Sequence, residues 1–490
     1  MAGQHGARGA SEPARPLRVS SLRDRLRRQL GESRPAPSVD GAVNDSAQPS
    51  VGKRLERMFR RSTRPESVRR SGSRRTIRSA SKGGGSPGER RFIPPAKPAR
   101  SDPSRPPTPA PVLARELRGD AGGAWFHCTA RLEPGHQHGN IMLDRVLDAD
   151  GSSAVVLSGD PELRCFDPAR ALYFDLETTG LMGGGGNLAF IVGVATVDEL
   201  GGVDLVQYLL REPGDEAALL EGLLPLIEQA QTLVSFNGKS FDRHVLADRF
   251  VMNRMDPTPI LNKPHLDLIH PARRLYRNSL SSCSLGQIEE SCLRVFREHD
   301  LPGSEAPAAW FTWLRTGDAS AVRRVQDHNA LDLISLVALT AHLDRCVKAP
   351  GVALLEPSSL AQGGRLLIER GEQERGEQVL QLLARGDSRD AVVYGAMHVL
   401  AEYLRRSARY DEALALWERM REVAGPHDLH PWIASSIALE HRLDRTLDAL
   451  DVVDQILGLL SVNASFVTTE EFEGLQLRRQ RLLRRAGSLR

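Results

Sequence analysis

Apolar residues along this chain first fall into a sustained pattern near position 170. Leu172-Tyr173-Phe174-Asp175-Leu176-Glu177-Thr178-Thr179-Gly180 is a run of strand formers closed by a turn. Ala189 to Val197, rich in Val, Ile and Phe, predicts a buried strand, with Val203 to Leu210 as its partner. Leu219, Leu220, Leu223, Leu224 and Ile227 then mark one stripe of a helix over 215–230, and Thr232-Leu233-Val234-Ser235-Phe236 and His265 to Ile269 predict further short strands. Val155-Val156-Leu157 predicts another. From Asp318 to Cys346 the stripe Val322, Val325, Leu331, Ile334, Leu336, Val337, Leu339 predicts a long helix, and beyond Pro350 the pattern is almost entirely helical. Residues 1–115 carry no such pattern: Arg, Ser, Pro and Gly dominate, and the segment is expected to be a disordered arm because it has too little apolar surface to offset its ordering entropy.

Charge sharpens this division. The net charge of +3 over 490 residues hides 27 Lys and Arg against 10 Asp and Glu in residues 1–118, leaving an acidic remainder. A basic arm on an acidic body points to a polyanion, and Leu22, Leu26, Leu30 and Leu55, Met58, Phe59 are patches able to become helical on nucleic acid or an anionic membrane surface. The 5 cysteines are scattered and lack a Cys-x-x-Cys pair, which fits a reducing cytoplasm and argues against a disulfide framework or a structural zinc. No apolar run is long enough to predict a membrane span.

The candidate chemistry lies on the predicted strand ends. Asp175 and Glu177 are two apart, so a strand projects both to one face, where they repel unless a cation lies between them. A second Asp-x-Glu, Asp160-Pro161-Glu162, has a proline between its acids and reads as a solvated turn. Asp242 falls in the first turn of a helix that Ser240 can cap; position alone does not separate a metal ligand from a carboxylate answering the helix dipole. His328 and Asp332, four apart, face one side of the long helix. Arg273, Arg274 and Arg277 are placed to touch phosphates or to serve solubility, and Trp310, Phe311 and Trp313 to stack on bases or fill a core. Gly183 to Gly186 lacks the Lys-Ser/Thr of a phosphate-binding loop and predicts a hairpin; His127, Cys128, His136 and His138 lack zinc spacing and predict incidental histidines at a turn.

Phe174 to Gly180, Asn237 to Asp242 and His328 to Asp332, in this order, resemble the three motifs of DEDD exonucleases in the ribonuclease H-like superfamily. With Ser282-Cys283-Ser284-Leu285 and Asp300-Leu301-Pro302-Gly303 they resemble the YprB-type ribonuclease H-like domain more specifically. The resemblance implies an α/β fold, a mixed sheet flanked by helices over 120–346. It also implies two Mg²⁺ or Mn²⁺ ions held by Asp175, Glu177, Asp242 and Asp332, and nucleic acid, DNA or RNA, cleaved from a 3′ end. By the same resemblance Thr178, Asn237 and Lys239 join the three arginines as substrate-binding residues, and His328 is the general base. It stands four before the last Asp, whereas family members place a Tyr there or a His five before. Residues 356–487 resemble tetratricopeptide-like repeats: Tyr410 to Trp417 recurs at Leu443 to Leu450, 33 positions on, with a weaker copy at Gly376 to Leu380. Stacked helix pairs imply a protein partner or a helical cap. The other function class left open is a catalytically inactive nucleic-acid-binding scaffold.

Overall fold

The computed structural model describes residues 118–119, 126–180, 186–297, 301, 303–424, 428–462 and 468–487. The basic arm expected over 1–115 lies outside the described residues, as do most of the glycine-rich loop and Asp300 and Pro302. Strands β1 (Arg118–Gly119), β2 (Phe126–Leu132), β5 (Ala171–Thr178), β6 (Ala189–Val197), β7 (Val203–Leu209), β8 (Thr232–Ser235) and β9 (His265–Asp267) form a sheet in the order β1-β2-β7-β6-β5-β8-β9. A small hairpin pairs β3 (Gln137–His138) with β4 (Ile141–Met142). The ladder from β1 to β5 is antiparallel, while β5/β8 and β8/β9 are parallel. Short connections join β5 to β6 and β6 to β7 on the antiparallel side; the parallel side needs crossovers, supplied by helices α2 (Glu216–Gln229) and α3 (Asp242–Met252).

The centre of the sheet, β5 and β6, is buried on both faces, which is why β5 reads as a nearly continuous apolar run. Ala171 and Tyr173 enter one core; Leu172, Phe174 and Leu176 enter the other. The second core also takes Trp310 from helix α5 (Ala306–Thr316), fully buried and stacked on Phe190 at 5.5 Å, so this aromatic is core rather than a base-stacking platform. Helix α6 (Ser320–Lys348) lies against the first core from Ala330 onward. Residues 151–158, expected as a strand, form helix α1 (Gly151–Ser158): Asp150 accepts from the Ser153 amide and Ser153 reciprocates, a capping box that outweighs the β-branched pair. Helix α3 begins at Asp242 without the side-chain cap expected from Ser240.

After helix α4 (Ile269–Tyr276) and α6 the chain is all helix: α7 (Pro357–Glu369), α8 (Gln373–Ala384), α9 (Ala391–Arg406), α10 (Tyr410–Arg421), α11 (His430–His441), α12 (Thr446–Val462) and α13 (Thr469–Gly487). Among the described residues no helix is long and apolar enough to cross a membrane. All 5 cysteines are free.

Candidate active site

Asp175 and Glu177 project from the end of β5 on the face that carries Tyr173, and Glu177 is 8% exposed. Asp242 arrives at the first turn of α3, just beyond β8, and Asp332 comes from α6. These acids meet in one field. Burial first, and then the negative charges of Asp332, Asp242 and Glu177, hold the Asp175 carboxyl well above the usual carboxylate range; a hydrogen bond from Asn329 works the other way. Burial, then Asp267 and Asp332, push Asp242 up to about 7. The three segments that sequence reading joined by order are thus joined in space.

Asp175 is placed by a buried relay. Its register partner on β6 is Gly193, whose own partner on β7 is Gln207. Glycine leaves a gap in that cross-strand row, and the Asn329 side chain from α6 fills it; a Cβ at position 193 would collide with the Asn329 carboxamide. Asn329 Nδ2 donates to Asp175 Oδ2 at 2.8 Å, and its Oδ1 accepts from Gln207 Nε2 at 2.7 Å. Gln207 Nε2 also donates to the Gln326 carbonyl at 2.8 Å, so the carboxamide is held at both ends.

The Asp242 loop has its own organiser. Asp267, 4% exposed at the end of β9, accepts the amides of Asn237 at 2.7 Å, Lys239 at 3.0 Å and Ile269 at 3.2 Å. Asn237 takes a left-handed φ of 71°, which turns the chain from β8 towards α3. Lys239 Nζ lies 3.4 Å from Asp160 Oδ2. Thr178 Oγ1 donates to the Gly180 carbonyl at 2.7 Å and so closes the turn after β5.

Arg297 joins the acids from outside the expected set. It forks onto Glu289, with Nε to Oε2 at 2.7 Å, and its Nη2 also meets Asp332 Oδ1. Its Nη1 donates to His328 Nδ1 at 3.0 Å, which leaves the neutral ring's proton on Nε2, 3.5 Å from Asp332 Oδ2. Both ring nitrogens of His328 are therefore engaged. Glu289 is fully buried and raised by that burial in spite of its arginine.

The phosphate-binding candidates divide. Arg273 and Arg277 are exposed on and just after α4, whereas Arg274 is ion-paired with Glu369 of α7. His138, from the turn histidines, is buried and hydrogen-bonded to Ser335 Oγ at 2.9 Å, and burial pushes it down to about 4.

Four carboxylates sharing a desolvated pocket are an oxygen-donor set suited in charge and hardness to Mg²⁺ or Mn²⁺. Among the described residues, however, no three His, Cys, Asp or Glu side chains stand in a metal-holding group, and Arg297 supplies the cation that Asp332 now contacts. The donor chemistry fits; the closed ligand geometry is absent with Arg297 in this position. Asn329, Gln207, Gly193, Asp267, Glu289 and Arg297 had no assigned role in the sequence reading. Of these Gly193 left a local signal, a glycine inside a strand run that marks close approach, and Asn329 stands within the His328 to Asp332 motif.

Residues 172–344 match a family model described as the RNase_H superfamily. The chain is 29% identical over 358 residues to the uncharacterized protein YprB of Bacillus subtilis (strain 168), covering 72% of this chain and 84% of that one. Among solved structures, a family B DNA polymerase from the hyperthermophilic archaeon Pyrobaculum calidifontis is 14% identical with a TM-score of 0.30, over 43% of this chain and 30% of the polymerase. E. coli exonuclease I in complex with a dT13 oligonucleotide is 16% identical with a TM-score of 0.25, over 39% of this chain and 45% of the exonuclease. The chain therefore spans less than half the length of either solved structure.

Proposed function

We propose that the RNase_H superfamily domain at residues 172–344 is a divalent-metal-dependent phosphodiester hydrolase that removes nucleotides from the 3′ end of a nucleic acid in a reducing cytoplasm. The observation that carries this reading is the convergence of acids from three segments on one buried carboxyl: burial first, and then Asp332, Asp242 and Glu177, raise Asp175. The 3′ polarity follows from the motif resemblance. Asp175, Glu177, Asp242 and Asp332 would hold two Mg²⁺ or Mn²⁺ ions, whose chemistry there is Lewis-acid activation of water and neutralisation of charge at the scissile phosphate.

The chain's own residues prepare that pocket. Asn329, braced by Gln207, fixes the orientation of Asp175. Withdrawal of Arg297 frees an Asp332 oxygen and releases His328 Nδ1. Nδ1, which accepts from Arg297 in this arrangement, then presents the lone pair a general base needs, while Nε2 keeps its proton towards Asp332. Thr178, Asn237, Lys239, Arg273, Arg274 and Arg277 are assigned to the substrate, the arginines through its phosphates. The helical pairs beyond residue 356 offer a surface to a protein partner.

A second reading, a nucleic-acid-binding scaffold that does not turn over, is favoured by one feature: Arg297 occupies Asp332 and His328 together. An end-labelled single-stranded oligonucleotide incubated with Mn²⁺ separates the two. Hydrolysis predicts a ladder shortened from the 3′ end for the wild type and none for Asp175→Ala. No products from the wild type, or equal products from the variant, would leave the scaffold.

A further inference from the structure

The helices after residue 356 meet the RNase_H superfamily domain at a seam whose charge is one-sided. Leu275 of α4 and Leu366 and Leu367 of α7 are buried in a single core, so the two helices pack side by side. At the solvent edge of that seam Glu369 is shared by two guanidinium groups: Arg274 reaches it from α4, and Arg365 Nε donates to its Oε1 at 2.7 Å. The next residue, Arg370, lies across the end of α1, donating Nε to the Val156 carbonyl at 3.2 Å and Nη2 to the Ser158 carbonyl at 3.5 Å. Gly159 makes this possible. It has a left-handed φ of +76°, and a side chain there would collide with the Arg370 guanidinium. One residue further, Asp160 contacts Lys239, which belongs to the loop that delivers Asp242.

Lys239, on the loop that delivers Asp242, is thus linked through Asp160 and Gly159 to Arg370, whose charge is felt by Arg274 beside Arg365. Arg277 lies three positions after Arg274 and so on the same face of the helix. Arg277, Arg365 and Arg370 are exposed. We propose that these five residues form a track for the phosphate backbone of single-stranded nucleic acid, leading from the acid pocket onto the first helix of the C-terminal array. Two carboxylates, Asp160 and Glu369, face five cations along it. Burial and then the neighbouring charges of Arg370, Arg365 and Arg277 press Arg274 below its usual range, a repulsion that an anion laid along the track relieves. An extended line of charges suits a polyphosphate, since each arginine answers one phosphate and releases its counterions. The direction of the track, towards a 3′ end in the pocket, rests on the hydrolase reading; the phosphate binding does not.

The test uses the full chain carrying Asp175→Ala, so that cleavage cannot distort binding. Fluorescein-labelled oligo(dT) and oligo(U), about 20 nucleotides long, are titrated by anisotropy over a series of NaCl concentrations. Arg277→Ala with Arg365→Ala is expected to weaken binding several-fold and to reduce the slope of log Kd against log salt by about 1.4, roughly 0.7 for each phosphate left without its arginine. Arg277→Lys with Arg365→Lys keeps both charges and is expected to keep the slope, which separates a missing charge from a damaged fold. An unchanged slope in the alanine pair overturns the track, as does polyglutamate competing as well as unlabelled oligonucleotide. Salt-sensitive binding through these residues by a wild type that cleaves nothing would instead remove the hydrolase reading and leave the track standing.

Discussion

A carboxylate kept above its ordinary pKa needs a donor that does not swing away, and Asn329 is that donor for Asp175. Its carboxamide is completely buried and tied to Gln207, so it cannot rotate without breaking a second bond. Asn329→Leu keeps the bulk and removes the donor; hydrolysis is expected to fall about 10- to 100-fold, as for other residues that orient a metal ligand. Unchanged cleavage with a lowered melting temperature would reduce Asn329 to packing. His342 carries a different prediction. Burial first, then Arg345, push it down to about 4, and Tyr276 Oη lies 2.6 Å from its Nε2. A folded pKa below the unfolded 6.5 means that the unfolded chain takes up the proton first. Its stabilisation is then complete above that value and is lost as pH falls towards 4, with a ceiling on the order of 3 kcal/mol. In urea unfolding the gap between wild type and His342→Gln should narrow from about pH 7.5 to about pH 5; a constant gap contradicts the assignment. Asp175, Glu177 and Asp242 were legible because acids at a strand end and a helix start break an apolar pattern locally, and Asp332, inside α6, because it stands four residues from His328. Arg297 was not, because nothing around it in sequence distinguishes it from a solvated arginine.

Elements were read well where one period ruled them and less well where a cap decided. The apolar run of β5 and the stripe of α6 predicted both elements to within a few residues, whereas residues 155–157 follow the Asp150 cap into a helix. The repeat array shows the same distinction. Gly376, Ala413 and Ala449 are buried small residues at matching places in α8, α10 and α12, spaced by 37 and then 36 positions. Gly371, Ala408 and Asp444, all left-handed, sit at the turns before those helices with the same spacings. The packing period is therefore longer than the 33-residue likeness between Tyr410 and Leu443, which sets buried Leu414 and Trp417 against exposed Leu447 and half-buried Leu450. At Ala408, with φ 58°, an L residue bears the steric cost of the left-handed region. Ala408→Gly is expected to stabilise the protein by about 1 kcal/mol, read as a raised melting temperature; a lowered one would show that the turn is not strained.

On the scale of the whole molecule, the array is joined to the sheet domain, whose residues 172–344 match the RNase_H superfamily model, through core as well as charge. Leu366 and Leu367, each 1% exposed, share a core with Tyr173 of the central strand and Leu333 of α6. Leu367→Ala is expected to cost about 2–5 kcal/mol and to lower the unfolding transition that near-ultraviolet signals of the sheet domain report. An effect confined to the array's helical signal would mean that the two parts unfold separately.

Periodicity and residue type determined, without any structure, the strand run with its paired acids, the helical region beyond Pro350 and the order of the acidic motifs, since each is written in neighbouring residues. Tertiary structure alone decided that Asn329 reaches Asp175 across 154 positions, that Arg297 crosses 35 to hold Asp332, and that Arg370 comes back 214 to lie over the end of α1. Such pairings are made by faces that meet only when the sheet and helices pack, and no local pattern in the chain encodes which distant side chain will fill a gap such as the one Gly193 leaves.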